Sequence, residues 1–426
     1  MSSTTSTSRT KKPGASGAAA RASTRPRDWL SRLDSPVTTY YLLVCVAAAL
    51  VIFGLIMVLS ASSIVSLDTT SSAYSIFLSQ LVFAVIGTVA LVVASRIPIS
   101  GWKKLALPIL VVAVVLQLLV FTPLGVAVQG NRNWIRVGPM TVQPSELIKL
   151  GLVLSGGLIL GAKRKHLSSF THVVVPWLVP LVAVAVAAVA IGHDLGTVMI
   201  LGAIVAGVLF AAGIPLRWFA FAGTPFVGVV IAFVVTSPNR LGRFDVWLGR
   251  DTNEFGAARQ PLHGRYALAD GGWFGLGLGA SREKWGLLSE PHNDFIFAII
   301  GEELGLPGTI AVLVLFAGLA LACYRLVTRS SDFFVRVCTA GIMTWILVQA
   351  LINIGAVINL LPVIGVPLPL VSSGGSSLVT TMFALGILLS FARSEPGCAD
   401  ALSARPSAMR RTLAVLPGPL GRRARR

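Results

Sequence analysis

The sequence predicts an all-α polytopic membrane protein of about ten transmembrane helices, with a long extracytoplasmic loop between the seventh and the eighth. Three observations lead there. Apolar residues make up 54% of the 426-residue chain and charged residues only 12%, with a mean hydropathy of +0.80. A soluble domain of this size needs a more charged surface than that. Apolar stretches of about 20 residues recur, the length that crosses a bilayer core, and the run from Leu105 to Leu124 carries no charge at all. Most Lys and Arg lie in the two ends of the chain and in alternate short loops, which is the positive-inside pattern.

Residues 1–36 are Ser, Thr, Ala, Gly and basic residues with almost no large apolar side chain. Such a segment cannot bury enough surface to fold and is expected to be a disordered basic tail. A membrane domain follows over 37–393. Its spans are predicted at 39–61, 73–95, 105–124, 143–162, 171–191, 194–213, 216–236, 294–324, 336–360 and 370–392, the fourth and sixth beginning on polar or ionisable residues. A second basic tail, 394–426, ends in Arg422-Arg423-Ala424-Arg425-Arg426. An even span count puts both tails on one side. Of the Lys and Arg, 25 fall on that side and nine on the other, with Lys149 inside a span, so the tails are expected in the cytoplasm. The outside then receives loops at 62–72, 125–142, 192–193, 237–293 and 361–369. The loop at about 237–293 is by far the longest, and long loops without obvious structure are usually functional.

The same placement narrows the meaning of the net charge of +18. Basic segments beside spans meet anionic headgroups. No zinc-finger spacing or aromatic-interleaved basic stripe occurs, so no nucleic-acid partner is expected. Cys45, Cys323, Cys338 and Cys398 form no CxxC pair, which indicates neither a metal site nor a disulfide framework. The N-terminus does not read as a cleavable signal, because its polar stretch is long and the apolar run after it is of span length.

Ionisable residues at membrane depth are costly and mark candidate sites. The first cluster runs Gly130-Asn131-Arg132-Asn133-Trp134-Ile135-Arg136-Val137-Gly138 and continues with Gln143-Pro144-Ser145-Glu146-Leu147-Ile148-Lys149. Pro144 suits a first helical turn, Glu146 the positive end of the helix dipole, and Glu146 and Lys149 share a face and can pair. An ion pair that only locks two helices explains the spacing equally well. The second cluster is His193-Asp194-Leu195-Gly196-Thr197, where an N-cap role accounts for Asp194. The third lies in the long loop: Arg240, Arg243, Arg259, Gln260 and Arg265, the Gly271–Gly279 run, then Glu290-Pro291-His292-Asn293-Asp294. The arginines could fork onto an anionic group or contact headgroups. Asp294 stands where the loop enters the eighth span, with Glu302 and Glu303 two turns on. By position alone it too reads as an N-cap, while desolvation there would raise its pKa and suit it to general-base work. The fourth cluster, Pro362 to Ser377 with Ser372, has three prolines that stiffen a non-helical turn and a Ser/Gly run that permits close helix packing.

Together these clusters resemble the SEDS family (shape, elongation, division and sporulation proteins) over about 39–393. The motifs are Trp-Ile with Gln-Pro-Ser-Glu-x-x-Lys, Asp-Leu-Gly-Thr, His-x-Asp-Phe-Ile-Phe with Gly-Glu-Glu-Leu-Gly, and Pro-Leu-x-Ser-x-Gly-Gly-Ser-Ser, in family order. The Gly271–Gly279 stretch and Ala298–Gly305 are more similar to the division-type member than to the elongation-type one. Departures are Ser289-Glu290-Pro291-His292-Asn293 for the usual Pro-Glu-Ala-His-Thr, Gly192-His193 for Gln-Pro, and Ser373 for Tyr.

The resemblance implies a peptidoglycan glycosyltransferase that polymerises lipid II outside the membrane during septal wall synthesis. Asp294 aligns with the carboxylate held essential, and Glu146, Lys149 and Asp194 align with polar residues of a central cavity. Arg132, Trp134, Arg243, Arg259, Gln260, His292, Glu302 and Ser372 are the remaining expected cavity or substrate-binding residues. An inverting transfer would release undecaprenyl pyrophosphate. No cofactor is evident and no metal-ligand cluster appears, although a divalent cation (magnesium or manganese) is compatible with the leaving group. A class B penicillin-binding protein and other division membrane proteins are the implied partners. The rival readings are a lipid II flippase, an elongation-type polymerase, and a scaffold that recruits a synthase.

Overall fold

The structure, a computed structural model, describes residues 37–404 apart from 129, 130, 139, 168, 252, 254 and 255. The N-terminal tail, Gly130 and the C-terminal arginines therefore lie outside the described residues.

Helices dominate. In order they are α1 (Thr38–Thr70), α2 (Ser75–Arg96), α3 (Ile99–Leu119), α4 (Pro144–Ala162), α5 (Phe170–Val173), α6 (Val184–Ile191), α7 (Leu195–Ala211), α8 (Leu216–Val235), α9 (Pro238–Trp247), α10 (Arg259–Gly271), α11 (Ile296–Arg329), α12 (Phe333–Val357), α13 (Gly375–Arg393) and α14 (Cys398–Ala404). Eight of them are long and apolar enough to cross a membrane. The expected fifth and sixth spans are represented by shorter apolar helices, Val175–Ile191 and Leu195–Ala211.

Several expectations are corrected in detail. The chain is not purely α-helical: the segment 125–142 forms a three-stranded antiparallel sheet of β1 (Gly125–Val128), β2 (Asn131–Val137) and β3 (Met140–Val142), ordered β1-β2-β3. Burial along β2 follows the strand period, with Asn133 and Ile135 buried and Arg132 and Arg136 exposed. The long loop is partly ordered, holding α9 and α10. The third span starts earlier than predicted, after Pro98, because Lys103 and Lys104 sit within the first turns of α3 rather than before it. The fifth is π-helical over Val174–Ala183 between α5 and α6. The tenth begins only at Gly375, since the prolines at 362, 367 and 369 hold the preceding chain out of helical form. The start of the C-terminal tail is helical in α14, with Cys398 buried.

Burial shows which faces meet protein and which meet lipid. Most of α4, α12 and α13 is buried. Along α2 the side chains of Val82, Val85, Val89 and Val93 are exposed, an apolar face that water would not tolerate over such an area and that lipid covers. Small residues let the central helices approach: a side chain at Gly386 would strike the backbone of Leu91, so α2 and α13 meet closely there. The loops that carry the candidate residues gather at one end of this bundle.

A buried ion pair and an open carboxylate in one cavity

Pro144 at the first turn starts α4 and carries Glu146 into that turn, as the helix dipole favours. One turn on, Lys149 Nζ lies 2.8 Å from Glu146 Oε1 and 3.2 Å from Gln349 Oε1. It also stands 4.7 Å over the Trp345 ring. The Lys149 side chain is 1% exposed, so its charge is matched by the carboxylate rather than by water. The predicted i, i+3 pairing is the observed one.

Asp194 caps α7. Its Oδ1 accepts from the Thr197 backbone N–H at 2.9 Å, and its Oδ2 accepts from the Thr197 hydroxyl at 2.7 Å and from Gln143 Nε2 at 2.8 Å. The capping explanation is sufficient for this residue. Asp294 is different. The cap of α11 is Phe295, without a side-chain hydrogen bond, so the expected N-cap reading of Asp294 does not hold. Its backbone carbonyl is held by Asn353 Nδ2 at 2.7 Å. Its carboxylate takes no hydrogen bond from any described residue and opens into the cavity.

Burial and the neighbouring Glu290 push the Asp294 pKa up to about 7, against the opposing pull of Arg243. Glu290 sits in the left-handed region (φ 55°), which costs a non-glycine residue energy and is common where a loop must aim a side chain. Arg243, on α9, donates from Nη1 to the Val363 carbonyl at 3.3 Å. Gly365, at φ 80°, passes between the two: a Cβ there would stand 3.4 Å from Asp294 Oδ2 and 3.8 Å from Arg243 Nη1. Glycine serves the turn and keeps that space open.

The cavity has a volume of about 480 Å³ and is lined by Trp134, Glu146, Lys149, Asp194, Arg243, Gln260, Asp294 and Gln349, among others. A second recess shares Asn131, Asp194, Arg243 and Gly365 with it and adds His193 and Arg240. An apolar groove between the π-helical segment, α6 and α8 then continues from His193 and Phe233.

The remaining expected residues lie elsewhere. Arg132 is exposed and donates to the Thr122 carbonyl at 3.0 Å. Arg259 ties down the loop, donating to the carbonyls of Leu287 (3.1 Å) and Gly286 (2.6 Å). His292 is half-buried, and burial pushes its pKa down. The Ser372 hydroxyl donates to the Asn293 carbonyl at 2.7 Å and accepts from the Leu368 N–H at 2.8 Å. Glu302 is buried beneath the loop, accepting from the Ser281 hydroxyl and the Arg282 N–H, each at 2.6 Å. Arg132, Arg259 and Ser372 are spent on local backbone and Glu302 on the Ser281–Arg282 turn, and neither these nor His292 line the cavity. Gln349 and Asn353 were missed. Their signal was present: two amides four residues apart in one predicted span share a face.

Fold and cavity define a multi-pass membrane protein whose loop-bearing end brings the Glu146–Lys149 ion pair, the Asp294 carboxylate and Arg243 to one cavity. The chain belongs to the FtsW, RodA and SpoVE family, the SEDS family: the family model described as "Cell cycle protein" matches residues 40–396. It is 39% identical over 386 residues to the probable peptidoglycan glycosyltransferase FtsW of Mycobacterium tuberculosis, covering 90% of this chain and 73% of that one. It is 35% identical over 353 residues to stage V sporulation protein E of Bacillus subtilis, covering 83% and 96%. Among solved structures, a chain from work on the structural coordination of polymerization and crosslinking by a peptidoglycan synthase complex matches with TM-score 0.66 and 24% identity over 82% of this chain and 96% of that one. The rod shape determining protein RodA of Thermus thermophilus matches with TM-score 0.61 and 23% identity over 83% and 96%. At such identities the structures speak to fold.

Proposed function

We propose that the chain is a peptidoglycan glycosyltransferase that polymerises lipid II into glycan strands on the outer face of the cytoplasmic membrane, in septal wall synthesis. The name of its Mycobacterium tuberculosis relative, a probable peptidoglycan glycosyltransferase, supports the reaction class. The observation that carries the mechanism is the Asp294 carboxylate, which takes no hydrogen bond among the described residues and whose pKa burial and Glu290 raise to about 7. A general base works best with a pKa near the ambient pH.

In this reading Asp294 takes the proton of the acceptor sugar 4-hydroxyl. The oxygen attacks the anomeric carbon of the donor, the bond from that carbon to the pyrophosphate breaks, and undecaprenyl pyrophosphate leaves with the electron pair. One displacement inverts the donor's α-linkage to β. Arg243 and Lys149 stabilise the charge that develops on the pyrophosphate, and Arg240 stands in the adjoining recess. The apolar groove beyond it, about 760 Å³, has the chemistry to take part of a polyprenyl tail. Among the described residues no group of three His, Cys, Asp or Glu side chains converges. A magnesium or manganese ion is compatible with the leaving pyrophosphate in this reading. The two basic tails face the cytoplasm in this reading, and a class B penicillin-binding protein crosslinks the strands.

The test is polymerisation of labelled lipid II by purified protein with its partner synthase, transpeptidation blocked. Wild type makes strands and an equally well-folded Asp294→Ala makes none. Strands from both would remove Asp294 as the base, and strands from neither under activating conditions would favour a flippase or a scaffold.

A further inference from the structure

The Gly271–Gly279 segment takes no part in the cavity, yet it carries the most exposed aromatic side chains of the long loop: Phe274 is 88% exposed and Trp273 74%. Leu278 and, further on, Trp285 are exposed as well. Such a patch on a loop demands a cover. What covers it follows from where the loop is fastened.

The loop backbone is bonded to α11 at its kink. The Leu306 N–H donates to the Gly272 carbonyl at 3.2 Å, and the N–H groups of Leu276 and Gly277 donate to the carbonyls of Glu302 and Glu303, both at 2.9 Å. Gly305 breaks the helix there (φ 65°, ψ −156°) and meets the backbone of Phe274 and Gly275. The kink also divides α11 by environment. From Ile296 to Glu303 every residue is buried. Beyond it Leu306, Ile310, Leu313 and Val314 are exposed, an i, i+4, i+7, i+8 stripe on a spanning helix, which is a lipid-facing stripe. Trp273 and Phe274 thus stand at the head of that stripe. Across 271–289 the one exposed charged side chain is Arg282, because Glu283 and Lys284 are buried. Aromatic rings with an arginine at the end of a span have the composition of a membrane–water boundary.

We propose that the Gly271–Gly279 loop is a lipid-inserted wedge, with Phe274 and Trp273 in the headgroup–acyl boundary of the leaflet on that side. Its occupant is phospholipid, because the patch continues a surface that lipid already covers. Through its bonds to the α11 kink, and through the clamp of Ser281 to Lys284 on Glu302 and Glu303, the wedge sets the depth of the loop that ends at Asp294. This rests on the membrane placement of α11 and not on the proposed reaction.

The test uses the full chain in phosphatidylglycerol/phosphatidylcholine nanodiscs, with Cys45→Ala to remove the exposed native thiol. Nitroxide labels are placed at Phe274→Cys and Leu278→Cys, with Arg250→Cys as an exposed loop control. Power-saturation EPR should show both wedge labels more accessible to oxygen than to a water-soluble nickel chelate, at a depth of about 5–10 Å below the headgroups, with the control reversed. Wedge labels as open to the chelate as the control would place the loop in water. Labels shielded from both reagents would place it against a protein, a partner or a second copy. Either result overturns the proposal.

Discussion

Asp194 and Asp294 each stand at the mouth of an apolar helix, and their chemistry diverges through what their oxygens accept. Asp194 spends both on Thr197 and Gln143, and loss of such a cap costs about 1 kcal/mol. Among the described residues the Asp294 carboxylate has no such donors, and it shares its surroundings with Glu290. Two outcomes follow. Polymerisation should rise with pH through about 7 and level off above it, because the base is competent only when ionised; a flat profile between about pH 6 and 8 would remove this role. Stability carries the same signature in reverse. The folded chain holds the proton more tightly than the unfolded chain, so ionised Asp294 is a penalty that is fully present above about 7. Asp294→Asn should therefore melt above wild type at alkaline pH, the gap shrinking as pH falls towards about 4, while polymerisation is lost. Arg243→Ala should lower kcat/KM for lipid II by about a hundredfold or more, as loss of one stabilising donor does elsewhere. In the sequence both aspartates were visible as candidates. Their difference was not, since it resides in Gln143, Thr197 and Asn353, groups contributed by other segments or by side-chain geometry.

At the scale of elements, the chain is organised by polar clamps set in apolar helices. The pair Glu146–Lys149 joins α4 to Gln349 of α12. Lys149→Ala would leave a buried carboxylate unpaired and should cost about 3–5 kcal/mol, read as a lower melting temperature. The double variant Glu146→Gln with Lys149→Met should recover most of that stability without recovering activity; if activity returned, the pair would be only structural. A second clamp holds the loop over α11: Glu302 takes Ser281 and the Arg282 N–H, and Glu303 takes Ser60 and Lys284. Glu302→Gln should speed hydrogen exchange across about 273–290 more than elsewhere and lower polymerisation in step. Apolar runs, Pro144 and the loop prolines were enough to read most helices, because burial in lipid leaves so long a signal. The sheet at 125–142 was hidden because three short strands between spans look like loop. The π-helical stretch was hidden because no residue type marks it.

At the scale of the whole molecule, lipid sets the surface. Apolar faces such as that of α2 point outward, while the buried Glu146, Lys149, Glu302, Glu303 and Gln349 gather where the loops do. The motif order carried the family, and the apolar pattern carried the architecture. Neither could say that Glu302 serves the loop rather than the cavity, since an acidic residue in an apolar run reads the same whichever of the two it faces.

The anchoring of Asp294 bears on how a polymer grows. Its carbonyl is tied to Asn353, and the eight residues from Ile296 to Glu303 behind it are encased on every side. A base so mounted is a stationary anvil. In the proposed reaction each added disaccharide must then be drawn past it, so the stepping motion belongs to the strand and its lipid carrier.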